Sequence, residues 1–236
     1  VGDTASAEID RVRRLSTSRN HSATHLLQKA LRTVLGTHVE QAGSYVTPDR
    51  LRFDFTHFAA MTAEEIQQVE DIVNEKILEN LPITATQESI EDARKLGAMA
   101  LFGEKYGNIV RVVNMGGYSI ELCGGAHLDN TAQVGSFKIV SESGIASGVR
   151  RIEALTGAAA LKYYQQQEET LKAVCKAVKA TPDNMLKRIE TMIAEQKQTA
   201  KELESLKAKM AGGAADDIIS KAVEIKGIKA VCAEVK

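Results

Sequence analysis

The chain opens with alternating polar and apolar residues and then changes to a helical spacing. Residues 7–13, AEIDRVR, alternate in a way that is typical of a strand. From Asn20 the spacing is helical, and Asn20 is a suitable N-cap while Gly36 is a suitable C-terminal residue. We therefore predict a strand over 7–13 and a first helix over 20–36, with His21 in the first turn of that helix.

Short strands and helices follow. Two apolar stretches at 38–46 and 51–56 are joined by TPDR, which is typical of a tight turn, and they predict a hairpin. Thr62 and Glu65 form a capping box before an apolar stripe that ends near Asn80, which predicts a second helix. The later pattern predicts a strand over 83–87, a short helix from Ser89, and strands over 108–114, 118–122, 136–141 and 149–155.

These elements do not repeat in a regular strand-helix-strand order, and the strands are short and bounded by glycines. That arrangement indicates an α+β fold, with a mostly antiparallel or mixed sheet packed on helices. We expect the sheet to support the first helix and to bring the turn at Cys123 beside His21 and His25.

The pattern becomes helical beyond Gly157. Residues 158–179 have helical spacing throughout, and Thr181 with Pro182 restarts a helix, since proline is tolerated in a first turn. A narrow stripe, weakened by two polar members, predicts either a packed helical hairpin or an intermolecular coiled coil that makes the chain a homo-oligomer. Its members are Met185, Ile189, Met192, Gln196, Thr199, Leu203, Leu206 and Met210.

Gly212 and Gly213 predict the end of this helix, and residues 218–235 look like the beginning of another α/β unit. We therefore expect a domain over 1–157, a helical segment over 158–211, and the start of a C-terminal domain over 212–236. Because the chain begins abruptly and without methionine, we expect it to be a fragment.

Composition excludes several classes of protein. Three cysteines give no disulfide framework, and no long apolar stretch predicts a signal peptide or a membrane partner, so we expect a cytoplasmic protein. The net charge of -1 conceals an acidic stretch at 61–104 and an early group of arginines. These are Arg11, Arg13, Arg14 and Arg19. Composition alone gives no positive evidence for a nucleic-acid partner.

Two pairs of nitrogen and sulfur donors are the strongest chemical signal. His21 and His25 are four residues apart on the predicted helix and share a face. Cys123 and His127 flank paired glycines, which we expect to permit a tight reversal that brings their side chains together. Three nitrogens and one sulfur suit tetrahedral zinc better than magnesium or calcium.

The alternative for each pair alone is more ordinary. Two histidines four residues apart more often belong to an exposed face or to a packed core, and only the second pair makes a shared metal site the better interpretation. His38 and His57 stand alone in strand-like contexts. Cys175 and Cys232 have no histidine or cysteine nearby and are interpreted as packing residues.

Several ordered motifs together resemble one protein family. Four runs, RNHSATHLL (19–27), QAGS (41–44), LRFDF (51–55) and ELCGGAH (121–127), closely resemble the editing domain of alanyl-tRNA synthetases, and GIASGVRRIEALTG at 144–157 strengthens the match. The resemblance covers residues 1–157, and the long helical segment favours a synthetase over the free-standing editing proteins that share this domain. The related threonyl-tRNA synthetases share it more distantly. The family usually has threonine where this chain has Ala126, which leaves the four donors unaffected.

The resemblance implies a fold of the threonyl/alanyl-tRNA synthetase second additional domain type. It also implies zinc-dependent hydrolysis of the ester that joins serine or glycine to the acceptor end of tRNA(Ala). Gln41 matches the family's pocket glutamine, although by itself it reads as an ordinary polar strand residue. Arg50, Arg150 and Arg151 are weak candidates for phosphate contacts.

Other chemistry is either left open or disfavoured by the sequence. No residue is identified as a general base, and zinc with four protein ligands is structural in one interpretation and catalytic in another. Two alternatives to editing within a synthetase stay open: a zinc-stabilised tRNA-binding or oligomerisation module that does not hydrolyse the ester in isolation, or a free-standing alanyl-tRNA editing protein. A metalloprotease is disfavoured because the first histidine pair lacks the adjacent glutamate of that motif, which leaves peptide hydrolysis without an evident proton acceptor. Nothing resembles an aminoacylation site, so we expect the chain to edit and not to charge tRNA.

Overall fold

The computed structural model describes residues 2, 4–99, 107–220 and 222–231. Cys232 and the end of the acidic stretch at 61–104 lie outside them. The chain forms two compact units, Val1–Gln166 and Gln167–Lys236. The boundary between them in the sequence falls inside a helix that begins at Gly157. The predicted division into three domains therefore stays a prediction. None of the described helices combines the length and apolar character needed to cross a membrane.

The first helix, α1 (Arg11–Leu35), begins nine residues earlier than predicted. Asp10 caps it, because its side chain accepts a hydrogen bond of 3.0 Å from the backbone N–H of Arg13. The strand predicted over 7–13 and the helix start at Asn20 are therefore wrong. His21 lies in the interior of the helix, while the predicted end at Gly36 is confirmed by its hydrogen bond to the carbonyl of Arg32.

The first unit also contains two antiparallel sheets. The first sheet has four strands in the order β1, β2, β7 and β6, and the second has three in the order β3, β4 and β5. The α+β prediction and the predicted hairpin are confirmed. The strands are β1 (Gln41–Val46), β2 (Leu51–Thr56), β3 (Ile83–Ser89), β4 (Ile109–Met115), β5 (Ser119–Leu122), β6 (Phe137–Ala146) and β7 (Val149–Thr156).

Two further helices in this unit follow the predicted start signals. In α2 (Ala63–Leu78) the Thr62 side chain accepts from the Glu65 N–H, and the Glu65 carboxylate accepts from the Thr62 N–H. This confirms the capping box. The short α3 (Ile90–Lys95) is capped by Ser89, also as predicted.

The core of the first unit lies between α1, α2 and the four-stranded sheet. Leu26, Leu27 and Leu31 of α1 are fully buried, as are Phe53 and Phe55 of β2. Burying an apolar side chain of this size contributes about 1.5 to 3 kcal/mol. This packing fixes the rotation of α1 about its axis, and so it determines where the histidines of that helix point.

Beyond residue 157 the chain forms α4 (Gly157–Val178), α5 (Met185–Ser220) and a small hairpin of β8 (Val223–Ile225) and β9 (Ile228–Ala230). The fifth helix begins at Met185, three residues after Pro182, and its backbone continues through Gly212 and Gly213. The predicted break there is wrong, because glycine costs only about 1 kcal/mol in a helix and does not prevent its geometry. The helical segment after the sheet domain is confirmed.

The second unit buries part of its predicted apolar positions. Cys175 is buried with its sulfur 3.6 Å from that of Met185, which is the packing role that we expected. Farther along α5 the stripe residues Leu203, Leu206 and Met210 are exposed by 54%, 59% and 72%. Coiled-coil formation by this stripe stays a prediction.

Candidate metal centre

Four side chains from distant parts of the sequence converge in the first unit. His21, His25, Cys123 and His127 each offer one ligand atom, and these atoms all lie within 4.8 Å of one another. The Cys123 Sγ atom is 3.5 Å from Nε2 of His21 and 3.2 Å from Nε2 of His127. His25 is buried, whereas the other three are partly exposed. The convergence expected from the sequence is therefore observed.

Two elements bring these donors together. One full turn of α1 separates His21 from His25, so both face the second sheet. Cys123 directly follows β5, and its backbone N–H donates to the carbonyl of Arg111 on neighbouring β4. The Nη1 atom of Arg111 donates in return to the carbonyls of Cys123 and Gly125, at 2.9 and 2.8 Å. Arg111 thus holds the turn that carries the thiol.

The outer nitrogen of His25 lies against a buried carboxylate. Its Nδ1 is 3.0 Å from Oε2 of Glu121, a close electrostatic contact whose direction is not that of a linear hydrogen bond. The Ser119 hydroxyl donates to the other oxygen of Glu121 at 2.7 Å. A carboxylate behind a histidine fixes the ring and makes its inner nitrogen a better ligand.

The two other histidines are oriented by a hydroxyl group and by the backbone. Nδ1 of His127 lies 3.2 Å from the hydroxyl of Ser22, which also accepts from the backbone N–H of Leu128. His21 interacts with the backbone at Ala126. Because these partners occupy the outer sides of the rings, the Nε2 atoms of His21 and His127 are directed to Cys123.

Gly125 is required by a close approach of another side chain. Neither Gly124 nor Gly125 has a positive φ, so the chain here does not depend on the left-handed conformation that glycine permits. A Cβ atom added at Gly125 would lie 1.9 Å from Cε1 of His21, whereas one added at Gly124 would meet nothing within 4 Å. The imidazole of His21 occupies the space that a side chain at Gly125 would need.

The surroundings favour neutral imidazoles. Burial lowers the pKa of His25 well below its ordinary value, and the neighbouring His127 and His21 lower it further. Burial, with a contribution from His21, lowers the pKa of His127 to about 3, and burial also lowers the pKa of His21. Burial raises the pKa of Glu121 to about 7, and the hydrogen bond from Ser119 opposes that shift. Neutral imidazole is the form that binds metals.

The donor set and its spacing fit zinc. In a tetrahedral site with bonds of ordinary length, ligand nitrogens and a sulfur lie about 3.3 to 3.6 Å apart. The two nitrogen–sulfur distances given above, 3.2 and 3.5 Å, lie close to this range. Magnesium and calcium prefer oxygen donors. The four ligand atoms, all within 4.8 Å of one another, are therefore a donor set that fits one zinc ion.

An open cavity of about 570 Å³ adjoins the cluster. The turn from Gly124 to Asp129, which includes His127, forms one wall, and the first turns of α1 form the other. Arg11, Arg14, Leu15 and Ser18 contribute from α1, together with Arg111 and Gln133. A ligand in this cavity has direct access to the edge of the cluster.

The other predicted site residues lie outside the lining of this cavity. Gln41 is on β1, beside an irregularity in its pairing, and its amide donates to the Ser44 hydroxyl at 3.3 Å. Arg50 lies 3.6 Å from Glu153, while Arg150 and Arg151 each donate two hydrogen bonds to Glu142 and Asp54, respectively. Their substrate contacts stay predictions, and a phosphate would have to compete with these carboxylates.

Sequence reasoning missed the residues that support the cluster. Ser22 lies between the two helical histidines, and Glu121 lies two positions before Cys123, so polar residues flanking the donors were the available signal. Arg111 gave no such signal, because only strand pairing brings it to the turn. His38 and His57 do not stand alone, since Nε2 of the first is 3.0 Å from Nδ1 of the second.

Comparison with known proteins places this site in a family. Residues 110–153 match the threonyl and alanyl tRNA synthetase second additional domain. The chain is 60% identical to the alanine–tRNA ligase of Acetivibrio thermocellus over 227 residues, which are 96% of this chain and 26% of the relative. Over the region that it spans, the chain belongs to the alanyl-tRNA synthetase family.

Other alanyl-tRNA synthetases give the same result. Alanine–tRNA ligase 1 of Lachnoclostridium phytofermentans is 55% identical over all of this chain and 27% of the relative, and the enzyme of Clostridioides difficile is 52% identical over 98% of the chain. The chain therefore spans about a quarter of the length of these synthetases. The family domain matched at 110–153 includes Cys123 and His127, while α1 supplies the other two donors.

Proposed function

We propose that this chain carries the editing activity of an alanyl-tRNA synthetase, the zinc-dependent hydrolysis of serine or glycine wrongly esterified to tRNA(Ala). The observation that carries the proposal is the convergence of three imidazoles and one thiol beside an open cavity, in a member of this family. The partner is the acceptor end of tRNA(Ala), and the compartment is the cytoplasm, where tRNA is charged.

An editing activity is needed because one binding pocket can discriminate between similar amino acids only to a limited extent. A pocket that accepts alanine cannot strongly exclude glycine, which is smaller, or serine, which adds one hydroxyl group. A second, hydrolytic site multiplies the discrimination. Gln41 is proposed to recognise the wrong amino acid, because an amide can form a specific hydrogen bond with the serine hydroxyl.

The roles of the protein groups follow from their positions. His21, His25, Cys123 and His127 would hold the ion, while Glu121, Ser22 and the backbone at Ala126 orient the rings. A bound zinc ion supplies a Lewis acid that polarises an ester carbonyl or activates water. No side chain is proposed as a general base, since the buried carboxylate of Glu121 is already engaged by His25 and Ser119.

The number of donors favours a second candidate. Four protein ligands complete a tetrahedron, which is typical of structural zinc, whereas catalytic sites usually keep one position open. The rival function is therefore a zinc-stabilised tRNA-binding module that does not hydrolyse the ester alone.

Cys123→Ala separates the two functions. With a catalytic ion, the variant keeps its circular dichroism spectrum and melting temperature but loses hydrolysis of seryl-tRNA(Ala) by about 100-fold or more. With a structural ion, the fold itself is lost. Metal analysis of the purified wild-type chain is the necessary companion measurement. Wild-type protein that holds zinc but leaves both seryl- and alanyl-tRNA(Ala) intact contradicts the editing proposal.

Arg111→Leu is expected to weaken zinc binding by about tenfold or more, which is the usual effect of losing a supporting partner of the ligands. The variant removes the two hydrogen bonds to the carbonyls of Cys123 and Gly125. Competition with a chromophoric chelator measures the affinity. Arg50→Leu is the control, because Arg50 is an exposed arginine of the same unit away from the turn. Equal affinities of both variants would exclude a role for Arg111 in holding the site.

A further inference from the structure

The wall of the cavity formed by α1 continues the helical stripe that carries the metal donors. Arg11, Arg14 and Ser18 line the cavity, and His21 and His25 follow at the same helical spacing. At a rise of 1.5 Å per residue, Arg14 lies about 10 Å along the axis from His21, and Arg11 lies about 15 Å from it. The guanidinium groups therefore lie on the approach to the donor cluster and not at the cluster itself.

These two arginines are not neutralised within the described part of the chain. Neither Arg11 nor Arg14 forms an ion pair there, in contrast to the paired Arg150 and Arg151. Asp129 is the one carboxylate among the described lining residues, and Arg111 adds a third cation. An open cavity with three arginines and one acid concentrates positive potential, which attracts an anion.

We propose that Arg11 and Arg14 bind phosphate groups of the 3′ end of an RNA whose terminal aminoacyl ester lies at the donor cluster. This inference rests on the proposed editing function. Guanidinium groups pair with phosphate oxygens through two parallel hydrogen bonds, and two of them one helical turn apart suit a chain of phosphates better than a single small anion. The contacts position the RNA and carry no base specificity.

The test compares two variants of equal charge. Arg11→Gln/Arg14→Gln removes the two cations that line the cavity. Arg13→Gln/Lys29→Gln removes two exposed cations of the same helix that do not line it. Two substrates are used with each protein: a seryl-esterified RNA minihelix of the acceptor stem, and seryl-adenosine, which has no phosphate. Binding of the unesterified minihelix is followed by fluorescence anisotropy at several salt concentrations.

We expect the cavity variant to raise KM for the minihelix by about tenfold or more, since each charged hydrogen bond to phosphate is worth roughly that factor. Its kcat changes little, and hydrolysis of seryl-adenosine changes less than about twofold. The dependence of minihelix binding on salt becomes shallower by a slope of roughly 1 to 2, as two phosphate contacts are lost. The control variant stays within about twofold of wild type in every measurement.

Three results would overturn the inference. Equal weakening in the control variant indicates diffuse attraction by the helix, and equal loss on both substrates indicates damage to the donor cluster. Unchanged minihelix binding by the cavity variant would show that Arg11 and Arg14 do not contact the RNA. Wild-type protein that hydrolyses neither substrate contradicts the proposed editing function instead, and the binding measurement, which needs no catalysis, then still tests Arg11 and Arg14.

Discussion

Gly125→Ala is expected to lower the affinity for zinc by at least about 100-fold relative to wild type. The affinity of Gly124→Ala is expected to stay within about threefold of wild type. The added methyl group at 125 would lie 1.9 Å from Cε1 and 2.4 Å from Nδ1 of His21. No side-chain atom tolerates such a distance, so the imidazole must rotate away from the cluster. The site then loses one of its four donors.

Gly124→Ala is a matched control for this substitution. It adds the same methyl group one residue earlier in the same turn, where nothing lies within 4 Å. Neither glycine has a positive φ, so alanine strains the backbone at neither position. Chelator competition gives the affinities, and circular dichroism verifies that both variants fold. A similar loss in both variants would mean that flexibility of the turn, and not space for His21, explains the glycines.

The donor cluster was predictable because its chemistry is local. His21 with His25, and Cys123 with His127, are close enough in sequence to show their spacing, and few residue types bind zinc. The strands were predictable for a similar reason, since β-branched residues between turn signals mark them directly. The packing of α1 on the sheets brings the two pairs together. This packing cannot be predicted from the spacing of residues in the sequence.

The residues that support the cluster were missed or misinterpreted because their partners are distant in the sequence. Arg111 is twelve positions from the carbonyl of Cys123 that it holds. Gly125 was interpreted from backbone freedom, although its cause is a ring 104 residues earlier. At the start of α1, the prediction relied on the preference of asparagine for N-caps, whereas Asp10 caps the helix and tertiary hydrogen bonds determine the actual role of Asn20.

Asn20→Leu is expected to lower the free energy of unfolding of the first unit by about 2 to 4 kcal/mol. Asn20 is 1% exposed within α1. Its amide donates to the carbonyls of Thr47 and Pro48 at 2.8 and 3.3 Å, and its oxygen accepts from the Thr156 hydroxyl at 2.7 Å. Leucine has the same number of side-chain heavy atoms and the same branching at Cγ, so the variant keeps the outline of the side chain and leaves these three groups without their partner.

A second buried amide on the same helix provides the contrast. Gln28 is buried, but its Oε1 atom has no hydrogen-bond partner, so Gln28→Met removes an unsatisfied polar atom while keeping an unbranched side chain. We expect this variant to be within about 1 kcal/mol of wild type or more stable, because an unpaired buried acceptor stabilises nothing. The free energies of unfolding of both variants are measured by urea unfolding, which is followed by the circular dichroism of tyrosine because the chain has no tryptophan. Equal destabilisation by the two substitutions would contradict this prediction. It would show that placing an apolar side chain at a buried amide position of α1 causes the loss, and not the removal of the hydrogen bonds from Asn20 to the hairpin turn and to β7.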